Sequence, residues 1–200
     1  MKEGVLTYLA KGLRDKQASV KKECAQIIIH LSKYIDNKPD TFRPLINPLI
    51  SSLGDEDASL VVKSLDCLRT LAFNDKLRDF IIDNGCVSIL CSTIVQDLAE
   101  VSVDILKHSV SLLVVLISNS DARQIMYEAS IILPILSFLS SDDIEVRGLW
   151  YEGLKELGAY STFRSQLENA ENSMLIVKRA IRQEETRFLL QLIAVMRVLC

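Results

Sequence analysis

The chain has 200 residues with 23 Lys and Arg against 26 Asp and Glu, a formal net charge of −3. That balance gives no general attraction to phosphate and argues against nucleic acid or an anionic membrane surface as the partner. Hydrophobic residues make up 49% of the chain, Gly numbers only 7 and Pro only 4, and no strand-like alternation occurs, so the expected class is all-helical. Five cysteines without a CxxC pair (Cys24, Cys67, Cys86, Cys91, Cys200) read as buried free thiols of a reducing compartment. Met1 is followed by Lys2 and Glu3 rather than an apolar signal segment, and the apolar run Leu112 to Ile117 is too short to span a bilayer. A cytoplasmic location is therefore expected.

The first elements form a helical pair. Leu6, Leu9 and Leu13 share one helical face, residues 14–17 break the pattern, and Val20, Cys24, Ile27, Ile28 and Leu31 open a second apolar face. The segment with Pro39 and Pro44 is short enough to be a turn between repeats. From Leu65 to Ile94 the periodicity predicts the end of one helix (Leu65, Leu68, Leu71), a break at Asn74-Asp75 and a short helix with Leu77 and Ile81. A corner follows at Asn84-Gly85, then a new helix opening with Val87 and Leu90.

The pairs repeat. Adding forty to Leu9, Leu13, Asp15, Val20, Ile28 and Leu31 lands on Leu49, Leu53, Asp55, Leu60, Leu68 and Leu71. Adding forty-five to Asn74, Ile81, Gly85, Val87, Leu90 and Asp97 lands on Asn119, Met126, Ser130, Ile132, Ile135 and Asp142, with residues 98–103 reading as a four-residue insertion. A last step of forty-two carries Ile135 to Val177 and Leu139 to Ile181. A unit of this size cannot bury both of its faces alone, so neighbours must supply the missing wall.

The segment 139–158, LSSDDIEVRGLWYEGLKELG, resembles the HEAT pattern: an apolar helix, an Asp-containing turn, Val-Arg and a second helix. The segment 74–90, NDKLRDFIIDNGCVSIL, resembles the armadillo pattern of Asn, a short helix, and Gly opening the next helix. Ser130 departs from it at the corner position, and the first two units are closer to HEAT. The resemblance to the armadillo/HEAT superfamily covers nearly the whole chain. It implies an all-α, right-handed α-α superhelix of about five repeats in a single repeat domain, with units at about 1–38, 39–80, 81–124, 125–168 and 169–200. The apolar helix Leu189 to Cys200 lacks the polar face of a terminal cap. It points to a longer solenoid, of which the chain would be a fragment, or to self-association there.

Catalytic constellations are not evident. His30 and His108 fall on different repeats and read as polar helix positions; Cys86 and Cys91 are out of phase on one helix and read as core thiols. Asp55-Glu56-Asp57 and Asp142-Asp143 fall where a turn precedes a helix and suit capping. Gly-rich phosphate loops are absent. Trp150, flanked by Gly148 and Gly153, reads as a large core residue in a slot where the repeat pattern has alanine, and Tyr151 as outward-facing. No enzyme activity, metal or cofactor is expected.

The resemblance also implies where a partner lies, since the last helix of each armadillo unit lines a concave groove. Aligned on that register, the pairs are Gln26 and His30, Asp66 and Thr70, Ser111 and Val115, Glu152 and Glu156. None is the Trp and Asn pair of the nuclear-import members. The row is polar and acidic and suits an extended or helical partner segment carrying Lys or Arg. The function so implied is a non-enzymatic protein–protein interaction scaffold, a module of a larger eukaryotic cytoplasmic or cytoskeletal or centrosomal assembly. The alternatives are a chaperone cofactor of a heat-shock ATPase and a self-associating structural module. HEAT-like stacks can also be DNA-repair glycosylases, which the charge balance argues against.

Overall fold

In the computed structural model the described residues are 4–95, 102–138 and 144–169, and each element among them is helical. The chain divides into two compact units, Met1–Ile89 and Leu90–Cys200.

The first unit holds α1 (Gly4–Gly12), α2 (Ala18–Leu31), α3 (Arg43–Ser51), α4 (Ala58–Ala72) and α5 (Asp75–Asp83). The step of forty is visible as structure. Helix α3 takes the place of α1 one repeat on and α4 that of α2, with α1 packed on α3 and α2 along α4. The turns repeat too: Asp15 Oδ1 accepts the Gln17 N–H at 2.9 Å, and Asp55 Oδ1 accepts the Asp57 N–H at 3.1 Å. Asp57 then caps α4 by accepting the Leu60 N–H at 3.0 Å, the capping role expected of this acidic run. The core is Leu6, Leu9, Leu13, Ala25 and Ile28 from the first pair, and Leu45, Ile46, Leu49, Leu60, Leu65, Leu68 and Leu71 from the second.

Two details differ from the sequence reading. The Pro-bearing connection is not a bare turn: Ser32–Asn37 and Pro39–Phe42 are 3-10 turns, and Phe42 is fully buried. Ile27, placed with the apolar face of α2, is 43% exposed, whereas its equivalent Cys67 on α4 is buried. The neighbours of α2, α1 and α4, cover its Ala25 and Ile28 side and leave Ile27 outside.

Helix α6 (Cys86–Val95) leads from one unit into the other. The second unit continues with α7 (Val103–Leu116), α8 (Ser120–Glu128), α9 (Ile132–Phe138), α10 (Ile144–Gly158) and α11 (Ser161–Asn169). The step of forty-five holds: α8 starts on Asn119 as α5 starts on Asn74, each asparagine accepting backbone N–H groups of its helix's first turn. Helix α7 packs along α10, the same third-helix pairing as α2 with α4. Arg123 closes the preceding helix, donating from Nη1 to the carbonyls of Ile117 and Ser118 at 2.9 Å each while its guanidinium lies 4.0 Å from the Tyr160 ring centre.

Trp150 is a core residue, 1% exposed and stacked on Phe138 with ring centres 4.7 Å apart. Tyr151 is a correction: it is fully buried, not outward-facing. Packed by α7, α9 and α11, α10 is covered over more of its girth than a two-neighbour helix, and the bearing next to Trp150 falls inside. Residues 98–101 of the supposed insertion, Asp142-Asp143 and the segment 169–200 hold further sequence readings; all but Asn169 lie outside the described residues.

Candidate functional site

The resemblance singled out one face of the third helices, and each unit holds one pair of these helices. In the first unit the burial pattern of α4 defines the face: Cys67, Leu68, Leu71 and Ala72 are fully buried, which leaves Asp66, Arg69, Thr70 and Phe73 on the open side. Gln26 and His30 take the matching positions on α2, half-buried and exposed. Structure therefore brings four of the expected residues, Gln26, His30, Asp66 and Thr70, onto neighbouring helices.

Their hydrogen bonds show how the two helices are tied. Lys63 Nζ on α4 donates to Gln26 Oε1 on α2 at 2.9 Å, and Gln26 Nε2 lies 3.3 Å from His30 Nε2. Thr70 donates its hydroxyl to the Asp66 carbonyl at 2.8 Å, so its methyl group is what the surface presents. Arg69 Nε sits 3.9 Å from Asp66 Oδ1, an ion-pair separation beyond hydrogen-bond reach. Sequence reasoning missed Lys63, Arg69 and Phe73. Read against the sheltered residues between them, however, their spacing puts all three on the polar side of α4.

Two further cross-repeat ties fix the start of the same helices. Lys21 Nζ reaches Asp55 Oδ2 and Lys22 Nζ reaches Asp57 Oδ2, both at 2.9 Å. Those lysine hydrogen bonds, with backbone N–H groups from the turn, hold both carboxyls below the usual carboxylate range.

In the second unit Ser111 and Val115 are half-buried on α7, between the buried Leu112, Leu113 and Leu116. Glu156 is half-buried on α10, and Glu152 belongs to the turn before it. Gly153 sits between them: a Cβ there would come within 3.8 Å of Val114 on α7, so the two helices approach closely at this point.

Of the cysteines expected to be buried, Cys24 is half-buried and Cys200 lies outside the described residues. Cys67, Cys86 and Cys91 are buried; burial pushes the Cys91 thiol up to about 12 and Cys67 further still, so neither forms thiolate readily at neutral pH. His30 is exposed, and His108 Nδ1 lies 2.7 Å from the Asp104 carbonyl. Among the described residues no group of three or more His, Cys, Asp or Glu is placed to hold a metal ion, and no helix is long and apolar enough to cross a membrane. An open cleft of about 720 Å³ lined by Lys38, Asp40, Asn74 and Lys76 lies in the first unit, among the 3-10 turn and the start of α5.

No protein-family model matches the chain, and no curated protein does. Solved structures do. A designed armadillo repeat protein in complex with the peptide (KR)4 superposes with a TM-score of 0.85 at 18% identity, over 98% of this chain and 82% of the other. Computationally designed armadillo repeat proteins for modular peptide recognition give 0.84 at 18% identity, over 98% and 83%. An engineered protein gives 0.83 at 15% identity, over 97% and 78%. The fold is thus an all-α armadillo-type repeat solenoid.

Proposed function

We propose that the chain is a non-enzymatic binding scaffold that holds an extended or helical segment of a partner protein on the exposed faces of its third helices. The observation that carries this reading is the pairing of α2 with α4. Positions one repeat apart, Gln26 with His30 and Asp66 with Thr70, form one polar surface above a closed apolar core, and the Lys63–Gln26 bond joins the two helices beneath it. The structural neighbours designed for peptide recognition support it. We keep the five-unit division, with units at about 1–38, 39–80, 81–124, 125–168 and 169–200.

For the α7 and α10 pair we propose a preference for Lys or Arg in the bound segment. Glu152 and Glu156 lie one helical turn apart on α10, and a carboxylate at that spacing meets alternate basic side chains of an extended peptide. A structural neighbour was solved with an alternating Lys and Arg peptide. The setting we propose, a module of a larger eukaryotic cytoplasmic assembly, cytoskeletal or centrosomal, is supported by the buried reduced thiols and the repeat form.

Selection of a random peptide library on the immobilised protein tests the scaffold reading. Enriched peptides should lose binding to variants carrying Thr70→Arg or Val115→Arg, with helicity unchanged by circular dichroism. A basic subset should be lost in Glu152→Lys/Glu156→Lys. Failure to enrich any peptide would remove the proposal, and enrichment indifferent to all of these substitutions would move the site off the third helices.

A further inference from the structure

We infer that the α2 and α4 face of the first unit selects a partner segment in which an acidic residue and an apolar residue are separated by one position, through Arg69 and Phe73. This deepens the peptide-binding reading and rests on it.

Phe73 is 65% exposed at the end of α4, seven positions after Asp66 and therefore within about 20° of the same bearing on the helix. Arg69 lies one turn before Phe73 on the same side, with its side chain 37% exposed. Its Nε is shielded from solvent and lacks a hydrogen-bond partner, and the Asp66 carboxylate at 3.9 Å is too far to supply one. Part of this guanidinium has thus lost water without gaining a bond, and it is the exposed remainder of the side chain that an incoming carboxylate would pair with.

The fold does not require this pair. The equivalent positions on and just after the other third helices are Ile29 and Lys33 for α2, Val114 and Ser118 for α7, and Lys155 and Ala159 for α10. Packing at this register accepts almost anything. An arginine and an exposed phenylalanine side by side have the composition of an interface anchor.

Charge on the face agrees. Lys33, Lys63 and Arg69 are its cations, with His30 between them; its acids are Glu23 and Asp66, and Asp66 already lies beside Arg69. The spacing sets the register of the ligand. Four helical residues advance about 6 Å, close to the 6.6–6.8 Å between alternate side chains of an extended strand, so carboxylate and apolar side chain fall two positions apart. An acidic and apolar segment is expected here, in contrast to the basic one proposed for α10.

The test is the same peptide library panned on wild-type protein, Arg69→Glu and Phe73→Ala, followed by anisotropy titration of the enriched peptides. Wild type should enrich peptides with Glu or Asp two positions from Leu, Ile or Phe. Arg69→Glu should weaken them about tenfold or more and favour Lys at the acidic position; Arg69→Lys should restore part of the affinity; Phe73→Ala should relax the apolar position. An unchanged motif in Arg69→Glu, or motifs without acid whose binding is insensitive to both substitutions, would overturn the inference and leave the scaffold reading intact. If no peptide is enriched on any of the three proteins, both fall together.

Discussion

Gly85 and Ser130 occupy the same corner of successive repeats, and both hold it with a positive φ, 81° and 52°. Each lies just before the helix that follows, α6 or α9, where a left-handed residue lets the chain reverse. Glycine adopts this conformation freely, whereas serine carries a Cβ that strains it by about 1–2 kcal/mol.

Opposite substitutions should therefore have opposite signs. Ser130→Gly should raise stability by roughly 1 kcal/mol, less what the added freedom of the unfolded chain removes. Gly85→Ala should lower it by about 1–2 kcal/mol even though a Cβ there meets no atom within 4 Å, because the cost is conformational. Urea titration followed by circular dichroism measures both, and a neutral Gly85→Ala would refute the shared-corner account.

The two capping asparagines differ in the cap bonds they accept. Asn119 Oδ1 accepts from Asp121 and Ala122 N–H groups at 2.8 and 3.2 Å, whereas Asn74 Oδ1 accepts from Leu77 at 3.4 Å. Asn119→Ala should cost about 1 kcal/mol or somewhat more, and Asn74→Ala less. Equal losses in denaturant midpoint, or a larger one at Asn74, would show that bond geometry does not rank the caps.

How much of this was legible follows from what fixes each feature. Helix positions, the corner at Gly85 and Ser130 and the recurring break at Asn74 and Asn119 are set by local periodicity and turn chemistry, and a chain that repeats states them more than once; that the two asparagines cap their helices came from the structure. Ile27 and Tyr151 were misjudged because burial at a given helical bearing depends on how many neighbours a helix has, which periodicity alone does not reveal. Phe42 was overlooked because a single aromatic between two prolines has no period. The candidate surface was found from register, but Lys63, Arg69 and Phe73 were not. The part proposed for Arg69 and Phe73 rests on exposure and on which atoms they reach, which periodicity does not state.

Trp150 tests the packing of the second unit. Fully enclosed and stacked on Phe138, it should cost about 3–5 kcal/mol as Trp150→Ala and far less as Trp150→Phe, which keeps a ring against Phe138. Gly153→Ala is predicted to go the other way. Its Cβ would make ordinary contacts at 3.8 Å to Val114 and 3.9 Å to the Trp150 ring, while helix propensity gains up to about 1 kcal/mol. Circular dichroism follows the unfolding of the Trp150 variants, which keep no tryptophan, and emission of the single Trp150 reports that of Gly153→Ala directly. A destabilised Gly153→Ala would mean that the approach of α10 to α7 tolerates no added methyl group.

Acid should loosen the ties between the first two repeats. Asp55 and Asp57 titrate below the ordinary carboxylate value of about 3.9 because Lys21 and Lys22 hydrogen-bond their ionised forms. A carboxyl whose folded value lies below its unfolded value contributes stability above the unfolded value, and that contribution is lost as pH falls through the folded one. Stability should therefore drop below about pH 4, and the part due to these pairs should shrink in high salt, since both are partly exposed. Asp57→Asn separates the roles of that side chain: asparagine still caps α4 through the Leu60 N–H but cannot pair with Lys22 as an ion. With Asp55→Asn added, the midpoint of urea unfolding should vary less between pH 6 and pH 3 than in wild type. The same slope in both proteins would place the acid sensitivity in other carboxylates and deny these bridges a part in it.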